Sequence, residues 1–343
     1  MRAIVLVGGF GTRMRPLTLT TPKPMLPVVD RPIVEWIVGG LGRAGIDEAV
    51  LSLGFRPDAF RDAYPDDTCA GVKLHYAVEP EPLDTAGAIR FAAVDAGIDE
   101  RFVVVNGDVL TDLDTRALID FHTQHRGEGT ISLHRVDDPS AFGVVPTDAD
   151  GRVLSFIEKP RRGEAPTDLI NAGTYVLEPS VLDRIPAGRR VSIERETFPA
   201  MVAERTLFAA EDAALSPGGG PVYWADTGNP AQYLQVMLDL VAGRRAVPAP
   251  PAVATDASVA GAVLEEAVVM AGARVGAGAV VKRAALLPGA TVEEGGEVTD
   301  SVVGPGAVIR AGARVIGGSV IGAGIVVAAG ALIDDERIPD PEG

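Results

Sequence analysis

Hydrophobic residues over the first 245 positions form short continuous runs that alternate with amphipathic stretches. A continuous run predicts a parallel strand covered on both faces, because such a strand has no solvent-facing side. The alternation predicts an α/β fold with a Rossmann-like, mixed but mostly parallel sheet, whose ligands bind beyond the carboxyl ends of the strands. The predicted strands are residues 3–7, 49–53, 74–78, 102–106 and 130–134, and the predicted helices are residues 32–45, 57–64, 85–96 and 115–125.

The pattern changes twice further along the chain. Between residues 143 and 177, strand patterns follow one another without helices, which predicts a smaller and more antiparallel lobe beside the main sheet. Residues 246–252 (AVPAPPA) are rich in proline and predict a stiff, extended linker. We therefore expect a first domain over residues 1–245 and a second domain from residue 253.

Large aliphatic residues recur every six positions beyond the linker, apart from five-residue steps at Val281–Leu286 and Val298–Val303, and Gly or Ala usually occupies the turns between them. A six-residue period fits neither a helix nor an alternating strand, and its repetition predicts a solenoid whose coils contact only their neighbours. The pattern resembles the left-handed parallel β-helix of hexapeptide-repeat proteins over residues 253–333, and residues 334–343 predict a loose tail. The repeat positions are Val269, Val275, Val281, Leu286, Val292, Val298, Val303, Ile309, Val315, Ile321, Val327 and Ile333.

Charge and cysteine content exclude several classes of protein. A net charge of −16 argues against nonspecific nucleic-acid binding, which needs Lys and Arg to replace phosphate counterions. The single cysteine, Cys69, excludes a disulfide framework and a thiolate zinc cluster, and we expect an inert thiol. No apolar run approaches membrane-spanning length and no signal-peptide pattern opens the chain, so we expect a cytoplasmic protein that does not bind membranes.

A glycine-rich turn, GGFGTR, directly follows the first predicted strand. Gly8, Gly9 and Gly11 let backbone N–H groups approach a phosphate closely, and Arg13 adds a fixed fork of donors. On the residues alone, a tight strand-to-helix turn without a ligand is an equal alternative. The turn is neither a Walker loop, since no GK[ST] closes it, nor the dinucleotide-binding GxGxxG.

Two aspartates and two lysines add candidate chemistry. Asp108 follows a predicted buried strand, and together with Asp226 it forms a carboxylate pair of the kind that holds Mg²⁺ with substrate phosphates. A helix cap for Asp108 and a turn for Asp226 are the alternatives. Lys23 lies between two prolines and Lys159 precedes one, in a chain whose other cations are mostly arginines.

Residues 8–27, GGFGTRMRPLTLTTPKPMLP, resemble the motif GxGTRxxPxTxxxPKxxxP of the sugar-1-phosphate nucleotidyltransferases, also called sugar-nucleotide pyrophosphorylases. The resemblance extends over almost the whole chain, because four further motifs of the family follow in the expected order. They are NGD at residues 106–108, F-x-EKP at 156–160, NAGxY at 171–175 and WxDxG at 224–228. The resemblance implies an enzyme that joins a nucleoside triphosphate to a sugar 1-phosphate and releases pyrophosphate.

The resemblance also implies individual roles. Arg13 and Lys23 would be catalytic, through contacts with the triphosphate and the departing pyrophosphate, and Asp108 and Asp226 would bind Mg²⁺. We expect these groups to converge on one magnesium–triphosphate complex, without a protein nucleophile. The residues implied to bind the nucleotide are Leu6, Gly8, Gly9, Gly11, Thr12, Arg13, Glu79, Pro82, Asp84, Thr85 and Gly107, and those implied to bind the sugar phosphate are Gly143, Glu158, Lys159 and Asn171.

Within the family, the likeness is greatest to the mannose-1-phosphate guanylyltransferases, on residues 15–18, 138–145 and 192–199. It implies GTP and mannose 1-phosphate as substrates, with a glucose-1-phosphate thymidylyltransferase and a cyclitol-phosphate nucleotidyltransferase as alternatives. One position departs from the family, which usually has Gly where Asp84 stands. Asp84 either tolerates an unusual backbone conformation, caps the helix predicted from Thr85, or alters the choice of base.

Two other classes of protein share parts of this pattern. Hexapeptide β-helices also occur in acyltransferases that use a coil histidine as base, but all four histidines precede the predicted β-helix. A regulatory homologue that binds sugar nucleotides without turnover would tend to lose a motif arginine, lysine or aspartate, and this chain keeps them. We expect a homo-oligomer to which the β-helix contributes, because stacked coils offer self-complementary faces.

Overall fold

The computed structural model describes residues 1–54 and 57–340. They form two compact units, one of residues 1–9 and 34–224, the other of residues 10–33 together with the chain from residue 225 onward. The last three residues of the predicted tail, 341–343, lie outside the described residues. In the described ranges, no helix has the length and apolar character needed to cross a bilayer.

A mixed sheet forms the centre of the first unit, in the strand order β11–β10–β12–β7–β1–β4–β6–β5, with β9 between β12 and β13. Strands β7, β1, β4 and β6 run parallel, whereas β12 is antiparallel to both β7 and β9. The strands up to residue 226 are β1 (Arg2–Leu6), β2 (Pro27–Val28), β3 (Arg31–Pro32), β4 (Glu48–Leu53), β5 (Thr68–Cys69), β6 (Val72–Val78), β7 (Phe102–Asn106), β8 (Val109–Thr111), β9 (Gly129–Arg135), β10 (Gly143–Val144), β11 (Ile157–Glu158), β12 (Leu169–Leu177), β13 (Leu207–Glu211) and β14 (Trp224–Asp226).

The apolar runs of the sequence are the parallel strands of this sheet. Strand β7 is buried from Phe102 to Val105, as expected for an interior strand with paired neighbours on both edges. Strands β10, β11 and β12 pair antiparallel, as predicted between residues 143 and 177, but they extend the main sheet through the pairing of β12 with β7, so the antiparallel lobe is one edge of that sheet rather than a body beside it. The predicted fold class is therefore confirmed for this part of the chain.

The helices lie close to their predicted positions. Asp114 begins α4 as its cap, because the side chain accepts a hydrogen bond from the Ala117 amide, and Arg126 ends it in a left-handed conformation. A five-residue π-helix, Ile193–Thr197, leads into α5. The helices are α1 (Ile33–Arg43), α2 (Pro57–Ala63), α3 (Asp84–Asp95), α4 (Thr115–His125), α5 (Phe198–Ala203), α6 (Asp212–Leu215) and α7 (Pro230–Val241).

The second unit contains a β-helix of short, parallel-paired strands. The predicted aliphatic positions line its core, and the side chains of Val281, Val298 and Val315 are completely buried. Ion pairs such as Lys282–Glu265 join residues 17 apart in neighbouring coils, a spacing that two six-residue steps and one five-residue step give. The strands are β15 (Val263–Val269), β16 (Arg274–Val275), β17 (Val280–Leu286), β18 (Thr291–Val292), β19 (Glu297–Thr299), β20 (Val302–Val303), β21 (Val308–Ile309), β22 (Arg314–Ile316), β23 (Val320–Ile321), β24 (Val326–Val327), β25 (Leu332–Asp334) and β26 (Arg337–Ile338).

The β-helix continues past residue 333, where we predicted the tail to begin. Strand β26 pairs parallel with β23, with Arg337 opposite Val320 and Ile338 opposite Ile321. Backbone hydrogen bonds on either side, from the Val320 amide to Glu336 and from the Gly322 amide to Ile338, hold this last strand. Residues 337–338 of the predicted tail are therefore part of a coil of the β-helix.

Cys69 and the histidines occupy structural positions. Burial raises the pKa of the Cys69 thiol to about 11, so the reactive thiolate is scarce at neutral pH, as predicted. His122 is completely buried between Thr130 and Glu178, and burial lowers its pKa. His134 bonds Asp212 and stacks on Trp224, and His125 stacks on Phe121. These contacts give the three histidines packing roles.

Candidate functional site

The carboxyl ends of β1 and β7 meet in a close backbone contact that requires glycine. The Gly107 amide donates to the Leu6 carbonyl at 2.9 Å, and a Cβ on Gly107 would stand 2.5 Å from that oxygen. Gly8 is confined less severely, because a Cβ there would lie 3.2 Å from the Gly54 nitrogen and 3.3 Å from the Glu79 carboxylate. Gly9, by contrast, has nothing within 4 Å of its Cβ position and is exposed. The first two glycines of the turn therefore differ: Gly8 packs against the protein, and Gly9 is accessible to a ligand.

Glu79 fixes the loop between β6 and α3. Its carboxylate is almost completely buried and accepts hydrogen bonds from the Ser52 hydroxyl and from the Leu83 amide, each at 3.0 Å. Pro82 in the same loop is exposed. Because a buried carboxylate needs such partners, Glu79 shapes this loop whether or not it also contacts a base. Its predicted contact with the nucleotide stays a prediction.

Asp84 occupies a left-handed backbone conformation, with φ +62° at the start of α3. The helix begins at Asp84 itself, the residue before it is Leu83, and no side-chain cap bond forms there. The Asp84 carboxylate accepts a hydrogen bond from the neighbouring Thr85 amide, at 2.9 Å. The interpretation of Asp84 as a helix cap is therefore wrong, because the cap position falls one residue earlier. A positive φ explains instead why the family usually has Gly at this position.

We expect Asp84→Gly to unfold at the wild-type urea midpoint or above it, because glycine adopts φ +62° without a steric penalty. Asp84→Ala should lower the free energy of unfolding by about 1 kcal/mol. Alanine in a left-handed conformation has a steric cost, and it lacks the carboxylate that accepts from the Thr85 amide. Equilibrium urea unfolding measures both. A larger loss in the glycine variant than in the alanine variant would contradict the backbone explanation. A changed base preference in Asp84→Gly would assign the carboxylate to base selection.

Thr85 connects the start of α3 to the π-helix. Its hydroxyl donates to the Glu194 carboxylate at 2.7 Å and accepts from the Ile193 amide at 2.8 Å. The amides of Ala86 and Gly87 bond the Val191 carbonyl, so residues 191–194 use the donors of the first helical turn. This segment covers the helix N-terminus, which is consequently closed to a phosphate.

A bulge in β12 orients the residues of the NAGxY motif. The pairing of β12 with β9 shifts between Asn171 and Tyr175, and Gly173 at φ +79° allows the shift. A Cβ on Gly173 would lie 2.7 Å from the Asn106 side chain, so only glycine fits there. The Asn171 side chain accepts from the Gly173 amide and donates to the Tyr175 hydroxyl at 2.9 Å. The bulge thus holds the predicted sugar ligand Asn171 in one orientation.

Acidic side chains lie within electrostatic range of the Tyr175 hydroxyl. Burial raises the pKa of this fully buried tyrosine most, and the negative charges of Glu194, Glu158 and Asp108 raise it further. Three acidic side chains therefore lie within electrostatic range of one point, beside Asn171. Sequence reasoning did not select Glu194. Its only signal was its place in the stretch at residues 192–199, and the π-helix that presents it has no sequence pattern of its own.

Glu158 and Lys159 lie on the antiparallel lobe. Gly143 pairs with Glu158 in the sheet, and a Cβ on Gly143 would stand 2.7 Å from the Phe156 ring and 3.1 Å from the Glu158 carboxylate. Lys159 has φ +50°, its side chain is 61% exposed, and its ammonium lies 3.4 Å from the Glu158 carboxylate. The carboxylate and the ammonium thus sit side by side, one partly buried and one open to a ligand.

The rest of the glycine turn belongs to the second unit, and so do the two predicted catalytic residues, Arg13 and Lys23. Gly11 has φ +60°, its carbonyl accepts from the Thr18 hydroxyl at 2.8 Å, and its Cβ position lies 3.1 Å from the Lys23 side chain. Lys23 is almost completely buried, in a 3₁₀ turn whose Met25 amide bonds the Pro22 carbonyl. Thr12 and Arg13 are exposed. The turn therefore brings the Lys23 side chain against Gly11 and leaves the Arg13 guanidinium in solvent.

Asp226 stands against a glycine of its own motif. A Cβ on Gly228 would lie 2.8 Å and 3.0 Å from the two Asp226 carboxylate oxygens, so glycine at this position makes room for the carboxylate. Asp226 and Asp108 are both half-buried. Among residues 1–54 and 57–340, no three His, Cys, Asp or Glu side chains form a ready metal cluster. Magnesium bound by a carboxylate and substrate phosphates does not need such a cluster, so the donor chemistry of each aspartate fits the ion.

Comparison with known proteins decides the family. The family model described as "Nucleotidyl transferase" matches residues 2–243, well over half of the chain. The chain belongs to the nucleotidyl transferase family. A second model, described as the "GMPPB C-terminal domain", matches residues 250–341, which include the β-helix of this nucleotidyl transferase.

The nucleotidyl transferase resembles several curated relatives. It is 43% identical over 249 residues to "Mannose-1-phosphate guanylyltransferase" of Mycobacterium tuberculosis, covering 72% of this chain and 66% of the relative. It is 39% identical over 285 residues to "Probable mannose-1-phosphate guanylyltransferase 1" of Oryza sativa subsp. japonica, covering 80% and 75%. The match to "Mannose-1-phosphate guanylyltransferase 1" of Arabidopsis thaliana is 40% identical and covers 68% and 63%. The chain thus spans about two thirds of the length of these relatives.

A solved structure matches the fold. HddC from Yersinia pseudotuberculosis aligns with a TM-score of 0.58 and 28% identity, over 69% of this chain and 97% of HddC. A second structure of HddC, complexed with GMP-PN, aligns with a TM-score of 0.57 and 29% identity.

Proposed function

We propose that this nucleotidyl transferase joins GTP to mannose 1-phosphate and forms GDP-mannose with release of pyrophosphate. The observation that carries the proposal is the identity of 39–43% to relatives named mannose-1-phosphate guanylyltransferase. The intact motifs add to it, because Arg13, Lys23, Asp108 and Asp226 are all present. In the proposed step, a phosphate oxygen of mannose 1-phosphate attacks the α-phosphorus of GTP. The bond from that phosphorus to the β-phosphate oxygen breaks, and pyrophosphate leaves with the bonding electrons.

Arg13 and Lys23 stabilise the negative charge that this step develops. Arg13 ends a turn held by internal hydrogen bonds, and its exposed guanidinium presents a planar fork for phosphate oxygens. Lys23 carries its ammonium on a buried side chain, where a lower dielectric strengthens its attraction to phosphate. Preorganised positive charge of this kind lowers the barrier because it needs no rearrangement during the reaction.

A divalent metal belongs to the proposal, with Mg²⁺ as the ion. Asp108 and Asp226 would hold it, together with phosphate oxygens of the substrates. When bound, the ion neutralises phosphate charge and orients the reacting groups. The glycine at residue 228 supports this role, since it leaves space beside both oxygens of Asp226.

The sugar phosphate binds to the antiparallel lobe in this proposal. Lys159 pairs with the phosphate, while Glu158 and Asn171 bind sugar hydroxyls. The half-buried carboxylate of Glu158 and the side chain of Asn171, fixed by two hydrogen bonds, support these roles because oriented polar groups distinguish hydroxyl stereochemistry.

We expect Lys159→Ala to raise the KM for the sugar 1-phosphate by about 10- to 100-fold, the value of one hydrogen bond to a charged group. The KM for the nucleoside triphosphate should stay within about twofold, because uniform binding of only one substrate is lost. Steady-state kinetics with each substrate varied in turn measures the split. Lys282→Ala is the matched control, since Lys282 is also an exposed lysine paired with a glutamate. Equal effects of the two variants would contradict the assignment of Lys159.

Pyrophosphate release from a panel of five nucleoside triphosphates, each paired with mannose, glucose and galactose 1-phosphates, tests the proposed function. We expect the highest kcat/KM with GTP and mannose 1-phosphate. Highest turnover with dTTP and glucose 1-phosphate would make the chain a thymidylyltransferase. Tight binding of a sugar nucleotide without turnover of any pair, measured by calorimetry beside the kinetic assay, would make it a regulatory protein.

A cytoplasmic location and a homo-oligomer both remain predictions. A nucleoside triphosphate as substrate supports the first. The exposed apolar side chains of Val326 and Leu332, in the last coil of the β-helix, support the second. Light scattering across a concentration series measures the oligomeric state.

A further inference from the structure

The last strand of the β-helix reaches the backbone of the glycine turn. One guanidinium nitrogen of Arg337, Nη1, donates to the Arg13 carbonyl at 3.0 Å and to the Arg15 carbonyl at 3.3 Å. These residues are 324 and 322 positions apart in sequence, yet they belong to the same compact unit. Strand β26 itself is held by its pairing with β23, so Arg337 projects from a fixed backbone.

A second contact joins the same two segments. Gly322, in the coil beside β26, lies against Pro16, and a Cβ on Gly322 would stand 3.2 Å from the Pro16 Cβ and 3.0 Å from Pro339. Gly322 is buried, and its amide donates to the Ile338 carbonyl. The missing side chain at residue 322 therefore lets the turn approach the coil closely.

We propose that Arg337 is a positioning residue for nucleotidyl transfer, which fixes the backbone of the turn from which the Arg13 side chain projects. The two accepting carbonyls flank Met14, whose side chain is completely buried. The backbone of residues 13–15 is thus held by Arg337 on one side and by burial of Met14 on the other. The Arg13 guanidinium remains exposed and available to phosphate.

The arrangement gives the β-helix a part in catalysis. Arginine suits it, because a guanidinium presents several donors in a rigid plane and stays charged at every working pH. Misplacing a catalytic group by about 1 Å costs on the order of 100-fold in rate. A backbone clamp on residues 13–15 therefore affects turnover without touching the substrate. This inference rests on the proposed role of Arg13, and its test separates the two.

The test compares wild type, Arg337→Ala, Arg337→Lys and the control Arg314→Ala. Arg314 is an exposed arginine of the same β-helix that bonds only Glu297 among the described residues. We expect Arg337→Ala to lower kcat by about 10- to 100-fold, the scale of a misplaced catalytic group. The KM for the sugar 1-phosphate should not change. Arg337→Lys should recover part of the loss, since one ammonium can donate to both carbonyls, and Arg314→Ala should match wild type.

Hydrogen–deuterium exchange of peptides covering residues 10–20 provides a readout that does not depend on activity. In Arg337→Ala, these amides should exchange faster than in wild type and in Arg314→Ala, because the backbone has lost its clamp. Gly322→Ala should produce the same increase by pushing Pro16 away, and it serves if Arg337→Ala does not fold. Unchanged exchange in the folded variants, or a kcat of Arg337→Ala equal to that of Arg314→Ala, would overturn the inference. A wild type that turns over no substrate pair would overturn the proposed function instead, and exchange alone would then decide whether Arg337 holds the turn.

Discussion

Replacing Arg13 with alanine should lower kcat by about 10²- to 10³-fold, which is the cost of losing one preorganised donor to a transition-state charge. The structure gives the physical reason, because the backbone of residues 11–15 is fixed by hydrogen bonds while the guanidinium is exposed. Alanine therefore removes the side chain and leaves the turn in place. Arg13→Lys should retain more activity than alanine but less than wild type, since it keeps the charge and loses the planar fork.

Steady-state kinetics of pyrophosphate release measures this loss, with Arg310→Ala as the control. Arg310 is an exposed arginine of the β-helix that pairs with Glu293, so its removal deletes the same charge away from the turn. Circular dichroism and thermal melting should give the same folded signal for all variants. Turnover of Arg13→Ala within about threefold of the control would remove Arg13 from the catalytic machinery.

Asp108→Asn should lower kcat by about 10³-fold, equivalent to about 4 kcal/mol of transition-state stabilisation. Asparagine keeps the shape of the side chain but removes the negative charge that a magnesium ion prefers as ligand. The concentration of Mg²⁺ needed for half-maximal rate should rise as well. This second readout distinguishes a metal ligand from a residue that acts only on the substrate.

Titration of the rate with MgCl₂ at saturating substrates measures both effects. Asp150→Asn is the matched control, because Asp150 is an exposed aspartate in a tight turn and its removal deletes the same charge. An Asp108→Asn variant with reduced kcat but an unchanged Mg²⁺ requirement would contradict the metal assignment. The same Mg²⁺ concentration for half-maximal rate in Asp108→Asn and Asp150→Asn would also contradict it.

Local patterns predicted most of the fold. The apolar run at residues 102–106 and the amphipathic stretch at residues 115–125 coincide with β7 and α4, because burial on both faces and a capped helix are local properties. The six-residue period placed the buried aliphatic side chains of the β-helix for the same reason. Local patterns failed at the end of the chain, where composition predicted a tail and pairing with β23 forms a strand. The hydrogen bonds that form this strand come from β23, and the composition of residues 334–343 gives no information about that partner.

The candidate site shows the same limit. The motifs identified Gly107 and Gly173, and the structure gives each a close backbone or side-chain neighbour that excludes a Cβ. The roles of Glu194 and Arg337 were not predicted, because each acts through a contact with a residue far away in sequence. Glu194 bonds Thr85, 109 positions earlier, and Arg337 bonds the Arg13 carbonyl. A single sequence without aligned homologues has no signal for such pairs.

The role of Asp84 was predicted only in part. Its departure from the family was visible in the sequence, but three explanations fitted it equally well. The cap position at Leu83 decides against a helix cap, and the backbone angle of +62° favours tolerance of a left-handed conformation. A backbone torsion is set by the loop that Glu79 holds and by the segment at residues 191–194, so the sequence around Asp84 alone does not fix it.

The most direct measurement of the central claim is a crystal structure of the chain with GDP-mannose, pyrophosphate and Mg²⁺. The account predicts phosphate oxygens within hydrogen-bonding distance of the Arg13 guanidinium and the Lys23 ammonium, and a metal ion coordinated by Asp108 and Asp226. Phosphates bound away from Arg13 and Lys23, with neither aspartate touching the metal, would contradict it.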